Sequence, residues 1–219
     1  MTKPTLDTIA HYEHLANAFA DPDQPKIGDP FHDPPGVAAW LAQADGPEFW
    51  DAVGSVEGQT VLEIGLGTGR VAAKMLQRDC AHLTGLEVSP KTLELARDNL
   101  AQDPRVGFLL QDVVDFIRPA TYDLAYSVWT FFHIPDKPRA LSNIVTSLKR
   151  GGRLVLSLER TPACLDHGTH LVQQYPVEPD QYLTWLQALD CDLDEPVTVP
   201  DRHSPDHETL TTILAARKR

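Results

Sequence analysis

The sequence is short of thiols, of positive charge and of long apolar runs. Its three cysteines, Cys80, Cys164 and Cys191, are scattered through 219 residues and form no C-x-x-C pair. That argues against a disulfide framework or a zinc ribbon, and for reduced thiols. No stretch approaches the roughly 20 consecutive apolar residues that cross a bilayer, so no membrane partner is expected. The start, MTKPTLDTIAHYEH, lacks the apolar core of a secretory signal, and the expected location is the cytoplasm. Lys and Arg number 19 against 31 Asp and Glu, a formal charge of −12. Chains that hold phosphate backbones present a basic face. The one basic cluster is Arg217-Lys218-Arg219, read as a solvated terminus, so nucleic acid is not an expected partner.

What remains is an ordinary globular composition, 42% hydrophobic and 23% charged. The length suits one domain, with or without a small cap. The first part, residues 1–58, reads as a helical cap or lid. Thr5 to Ala20 has helical spacing at Ile9, Leu15 and Phe19. A loop follows, with four Asp and five Pro in the sixteen residues DPDQPKIGDPFHDPPG. Val37 to Val53 reads as one or two short helices, with Trp40, Leu41, Phe49 and Trp50 facing inward.

Residues 59–219 have a different texture. Strands are expected at Thr60–Ile64, His82–Leu86, Val106–Leu110, Tyr122–Val128 and Arg153–Leu158, the last after a Gly151-Gly152 turn. Helices are expected at Val71–Gln77, from Pro90 to Leu100 with Ser89 as cap, and at Asp136–Leu148. Such alternation calls for parallel strands with helices on both faces. Pro179–Leu189 reads as a last helix. Pro196–Val199 and Leu210–Ala215 follow each other without a helix and should pair antiparallel. The fold class is therefore α/β: a Rossmann-like doubly wound sheet of about seven strands, mostly parallel with an antiparallel final strand, plus an N-terminal helical lid.

The stretch VLEIGLGTGR places Gly65, Gly67 and Gly69 directly after the first of these strands. A turn without side chains there either packs tightly or lets the backbone approach a nucleoside ligand at the carboxyl ends of the strands. Glu87 ends the second strand, twenty-two residues past Gly65. An acid at that spacing accepts the two ribose hydroxyls. A dinucleotide fingerprint, G-x-G-x-x-G, would need glycine at position 70, where Arg70 stands. Asp112 ends the third strand, in LLQDVVDF. It can accept from an adenine amino group while the Val113 N–H donates to a ring nitrogen.

At these motifs the chain resembles the class I S-adenosylmethionine-dependent methyltransferases, over about Gln59 to Arg217. VLEIGLGTGR is similar to the first motif, LTGLEVSPKTLELARDN to the ribose strand and its helix, and LLQDVVDF to the adenine motif. The segment from YDLAYSVWTFFHIPD to LKRGGRLVLSLE is similar to the stretch that follows, with Arg150 in place of the usual proline. The resemblance implies S-adenosyl-L-methionine as cofactor, S-adenosyl-L-homocysteine as product and a small-molecule acceptor. It implies that Gly65, Gly67 and Gly69 line the methionine and ribose, with Arg70 beside them and Glu63 near the aminoacyl end. Glu87 and Val88 would hold the ribose, and Asp112 and Val113 the adenine. Ser127 and Trp129 would lie beside the sulfonium, and Tyr12, on a helix like the family's tyrosine-bearing first helix, would close the site.

Methyl transfer asks an enzyme to align nucleophile, methyl and sulfur, and to tolerate a cation. Trp129, Phe131 and Phe132 offer aromatic faces, and the two Phe also read as core. His133 is the candidate base, with a structural loop histidine as the other reading. Asp166, His167 and His170, and Asp201, His203 and His207, lack helical metal spacing and read as polar surface loops, so no metal is expected. A non-catalytic adenosylmethionine-binding or regulatory protein, and an NAD-dependent oxidoreductase, are the alternative functions.

Overall fold

The computed structural model describes residues 3–20, 35–100, 103–200 and 209–219. The Asp- and Pro-rich loop at 21–34, and Asp201, His203 and His207, lie outside these residues.

A two-residue strand β1 (Thr5–Leu6) leads into helices α1 (Thr8–Ala20), α2 (Pro35–Leu41) and α3 (Pro47–Val53). The alternating part follows: β2 (Thr60–Ile64), α4 (Arg70–Leu76), β3 (His82–Glu87), α5 (Pro90–Leu100), β4 (Val106–Leu110), β5 (Tyr122–Val128), α6 (Lys137–Ser147) and β6 (Leu148–Glu159). Short 3-10 turns, Val113–Asp115 and Phe131–His133, follow β4 and β5. The chain ends with β7 (Cys164–Asp166), β8 (Leu171–Gln173), α7 (Pro179–Ala188), β9 (Cys191–Leu193), β10 (Val197–Pro200) and β11 (Thr209–Lys218).

The main sheet has eight strands in the order β10-β11-β6-β5-β2-β3-β4, with β9 also paired to β11. β2 to β6 are parallel, while β9 and β10 run antiparallel to β11 and β11 antiparallel to β6. Because side chains alternate along a strand, Val61 and Leu62 enter opposite layers of the core. One layer packs Leu62, Ile64 and Leu86 against Leu141, Ile144 and Leu186. The other packs Val61 and Leu83 against Met75, Ala96 and Phe49. Phe49 is thus core, and α3 is built into the sheet's flank rather than laid over its edge.

Local chemistry accounts for the helix starts. The Ser89 hydroxyl accepts from Thr92 N at 3.2 Å, and the Asp136 carboxylate from Arg139 N at 3.2 Å. In the middle of β3, Gly85 leaves room for the buried Leu66 side chain; a Cβ there would sit 2.7 Å from its methyl carbons.

Several expectations need correction. β6 begins at Leu148, because Gly151 at φ +76° and a register shift opposite Tyr122 and Leu124 absorb the Gly-Gly pair into the strand. Trp40 and Ile9 are exposed rather than inward, at 37% and 47%. The basic tail is structured: Lys218 Nζ donates to Leu148 O, and Arg219 pairs with Asp190 and Asp192. A second sheet, β1-β8-β7, and strand β9 were not anticipated; elements of two or three residues are too short to show a period.

Candidate active site

β2 has β3 on one side and β5 on the other, so the chain leaves it in both directions across the sheet. That switch point is where α/β sheets hold ligands, and a cavity of about 850 Å³ opens there.

The glycine turn forms its floor. Gly65 adopts φ +76°, and a Cβ on it would run into the Thr130 side chain, so no larger residue fits between β2 and the chain leaving β5. The Gly67 N–H donates to Glu87 Oε2 at 2.9 Å. Gly69 differs: it does not line the cavity, and a Cβ on it would meet Leu100 of α5. There it packs the turn against α5.

The strand-end acids meet different surroundings. Glu87 accepts from the N–H groups of Gly67, Val88 and Ser89, all at 2.9 Å. Burial raises its pKa against these three bonds. Glu63 is fully buried, its Oε2 has no hydrogen-bond partner, and burial pushes its pKa up to about 8 against the pull of Tyr126 and Arg70. Arg70 itself is tied to the buried Asp45 at 2.5 Å, which also receives Lys74. Asp112 is exposed at the rim and caps the turn after β4 by accepting from Val114 N at 3.0 Å, while Val113 is buried beside it. Glu63, Gly65, Gly67 and Arg70 line the cavity, as do Glu87, Val88, Asp112 and Val113.

Ser127 does not. Its hydroxyl is buried and donates to Ile64 O at 3.0 Å, stitching β5 to β2. Trp129 does line the cavity, at φ +48°. Its N–H donates to Ser157 O, its indole N–H to Thr211 Oγ1 at 2.8 Å, and its ring lies 4.7 Å from that of Trp40. A non-glycine residue held in that backbone region stores strain at a defined place. Of the two phenylalanines, Phe131 is core against Tyr182, and Phe132 lines the cavity.

From above, α1 brings Tyr12, whose hydroxyl lies 3.1 Å from His133 Nε2; Thr8 Oγ1 lies 3.5 Å from Nδ1. Both ring nitrogens of His133 are therefore occupied. Burial, then His167 and Lys137, lowers its pKa to about 4. The β7–β8 hairpin expected to be surface loop carries a buried His170, whose Nε2 lies 3.0 Å from His11 Nδ1.

A model described as a methyltransferase domain matches residues 62–156, from β2 into β6. This stretch is a methyltransferase domain. Its fold is that of class I S-adenosylmethionine-dependent methyltransferases. A methyltransferase from Mesorhizobium loti superposes with a TM-score of 0.67, covering 80% of this chain and 98% of that one at 17% identity. The N-methyltransferase NodS of Bradyrhizobium japonicum gives 0.65, covering 94% and 97% at 20% identity. In sequence, the chain is 32% identical over 114 residues to an O-methyltransferase of Aspergillus nomiae, covering 50% of this chain and 51% of that protein. The matches span between 38% and 64% of the length of the curated relatives. Among the described residues, no helix of the methyltransferase domain or its flanks is long and apolar enough to cross a membrane.

Proposed function

We propose that the protein binds S-adenosyl-L-methionine in the cavity at the switch point and methylates a small molecule, releasing S-adenosyl-L-homocysteine. The observation that carries this reading is the meeting of three strand-end acids, Glu63, Glu87 and Asp112, around one cavity floored by a glycine turn. When bound, the cofactor supplies a methyl group activated by its sulfonium.

The residues present suit that group. Glu63 Oε2, buried and unpartnered, is placed for an ammonium. Glu87 keeps lone pairs for ribose hydroxyls beyond its three backbone bonds. Asp112 and Val113 offer the rim position for adenine, and Arg70 holds the glycine turn to Asp45. Trp129 and Tyr12 close the space between. His133 acts by orienting Tyr12; a buried imidazole with pKa about 4 and both nitrogens engaged is a poor base at neutral pH. The relatives named O-methyltransferases favour an oxygen acceptor. We place the lid in residues 1–58, chiefly α1 and α2, and the protein in the cytoplasm.

The reading is tested by thermal shift and calorimetry. S-adenosyl-L-methionine and S-adenosyl-L-homocysteine should raise the melting temperature by mass action while NAD and NADP do not. Tight NAD binding with no adenosylmethionine binding would refute it.

A further inference from the structure

Glu159 is not part of the glycine turn, of the ribose or adenine motifs, or of the His133 pair, yet it lines the same cavity. It ends β6, as Glu87 ends β3. On the strand it shares a face with Ser157, whose hydroxyl donates to Ala44 O just after α2. Its register partner across the sheet is Thr211, the residue that anchors the Trp129 indole. The register thereby sets Glu159 next to the strained Trp129, whose ring meets that of Trp40 at an interplanar angle of 58°. Among the described residues no donor reaches this carboxyl. Of the other titratable groups lining the cavity, Tyr12 meets His133, Arg70 meets Asp45, His11 meets His170, Asp7 and Asp112 cap their own turns, and Glu87 is held by backbone N–H groups, while Glu63 keeps one oxygen without a partner.

A half-buried carboxyl on the cavity wall that no protein donor reaches can take a donor from a ligand. We propose that Glu159, with Trp40 and Trp129, forms the acceptor subsite. It selects an aromatic or alicyclic molecule whose nucleophile is a hydroxyl, and it receives that hydroxyl's proton. This rests on the methyltransferase reading. In the proton step the acceptor O–H bond breaks, its electron pair stays on the acceptor oxygen, and an O–H bond forms on the Glu159 carboxylate. Burial holds this carboxyl up to about 7, well matched to proton transfer at neutral pH. The same carboxylate repels anionic acceptors.

The test uses calorimetry on the full chain with S-adenosyl-L-homocysteine bound. The probes share one body: 2-naphthol, its methyl ether 2-methoxynaphthalene, and 2-naphthoate. At pH 8 the naphthol should bind at least about tenfold more tightly than the ether, the worth of one charge-assisted hydrogen bond. The naphthoate should bind weakest. The naphthol preference should shrink as pH falls through 7. Glu159→Gln should bring naphthol and ether within about threefold at all pH values, while S-adenosyl-L-homocysteine binds as before. A preference that is absent, independent of pH or unchanged in Glu159→Gln overturns the proposal, as does naphthoate binding best or naphthol not binding at millimolar concentration. Failure of S-adenosyl-L-homocysteine to bind at all would instead strike the cofactor reading.

Discussion

Glu63 and Glu87 are both buried carboxyls at strand ends, and they differ in what meets them. Glu87 satisfies three backbone N–H groups, so it belongs to the frame of the site as well as to its ligand face. Its spacing from Gly65 presents the ligand face, but not its part in the frame. The N–H groups it collects come from the turn after β2 and from the start of α5, which meet only in the folded sheet. Glu63 has an oxygen with no partner, and burial raises its pKa from 4.5 to about 8. The folded protein thus binds a proton there that the unfolded chain has lost, and the stability contributed declines as pH rises from 4.5 through 8. A cofactor ammonium placed against Glu63 reverses the shift. Binding at pH 7 is therefore expected to release close to one proton, and at pH 9.5 almost none from this group. Calorimetry in buffers of different ionisation heats reads this directly; a binding heat independent of buffer at pH 7 would place the ammonium elsewhere.

At the scale of elements, the long periodic pieces were legible: β2 to β5, α5, α6 and the antiparallel pair at the end of the sheet fall where apolar periodicity and caps put them. What escaped was assembled from pieces without a period. Glu159 had a signal in the acid that closes VLSLE as Glu87 closes LTGLE, but Asp45, Thr8 and the β7–β8 hairpin had none. That hairpin and α5 hold α1 in place. The Glu13 carboxylate accepts from the Ser89 hydroxyl and Lys91 N, and His11 meets His170. Burial, and then the neighbouring His167, His133 and His170, depress the His11 pKa from 6.5 to about 3. The folded form binds fewer protons than the unfolded one, so this contact is at full strength above pH 6.5 and is lost as pH falls from there toward 3. Amide exchange in α1, corrected for its intrinsic pH dependence, is expected to speed up between pH 7.5 and 5 while α6 is unchanged. Equal protection of both helices across that range would show that the imidazole contact does not hold α1.

For the whole molecule the two ends of the chain carry different weights. α1 and α2 contribute little to the two core layers, whereas β11 is bonded to β6, β9 and β10 at once. A chain starting at Ala38 keeps α3 and the main sheet. It is expected to melt cooperatively, to bind S-adenosyl-L-methionine more weakly and to transfer no methyl group. A chain ending before Thr209 leaves three strands with open edges and is expected to lose its cooperative melt in circular dichroism. If the N-terminal truncation fails to fold, α1 and α2 are part of the frame and the lid reading falls.

The space at Gly85 has a consequence for how this sequence can drift. Leu66 occupies the volume where a side chain at position 85 would stand, so the two sites share one allowance of atoms. Gly85→Ala alone should cost about 1–3 kcal/mol through overpacking. Leu66→Val should cost less in that background than in the native one, and a double-mutant cycle by urea denaturation measures the difference. Purely additive costs would mean the backbone yields instead. Where the coupling holds, homologous chains exchange bulk between these two positions, and selection reads them as a single site.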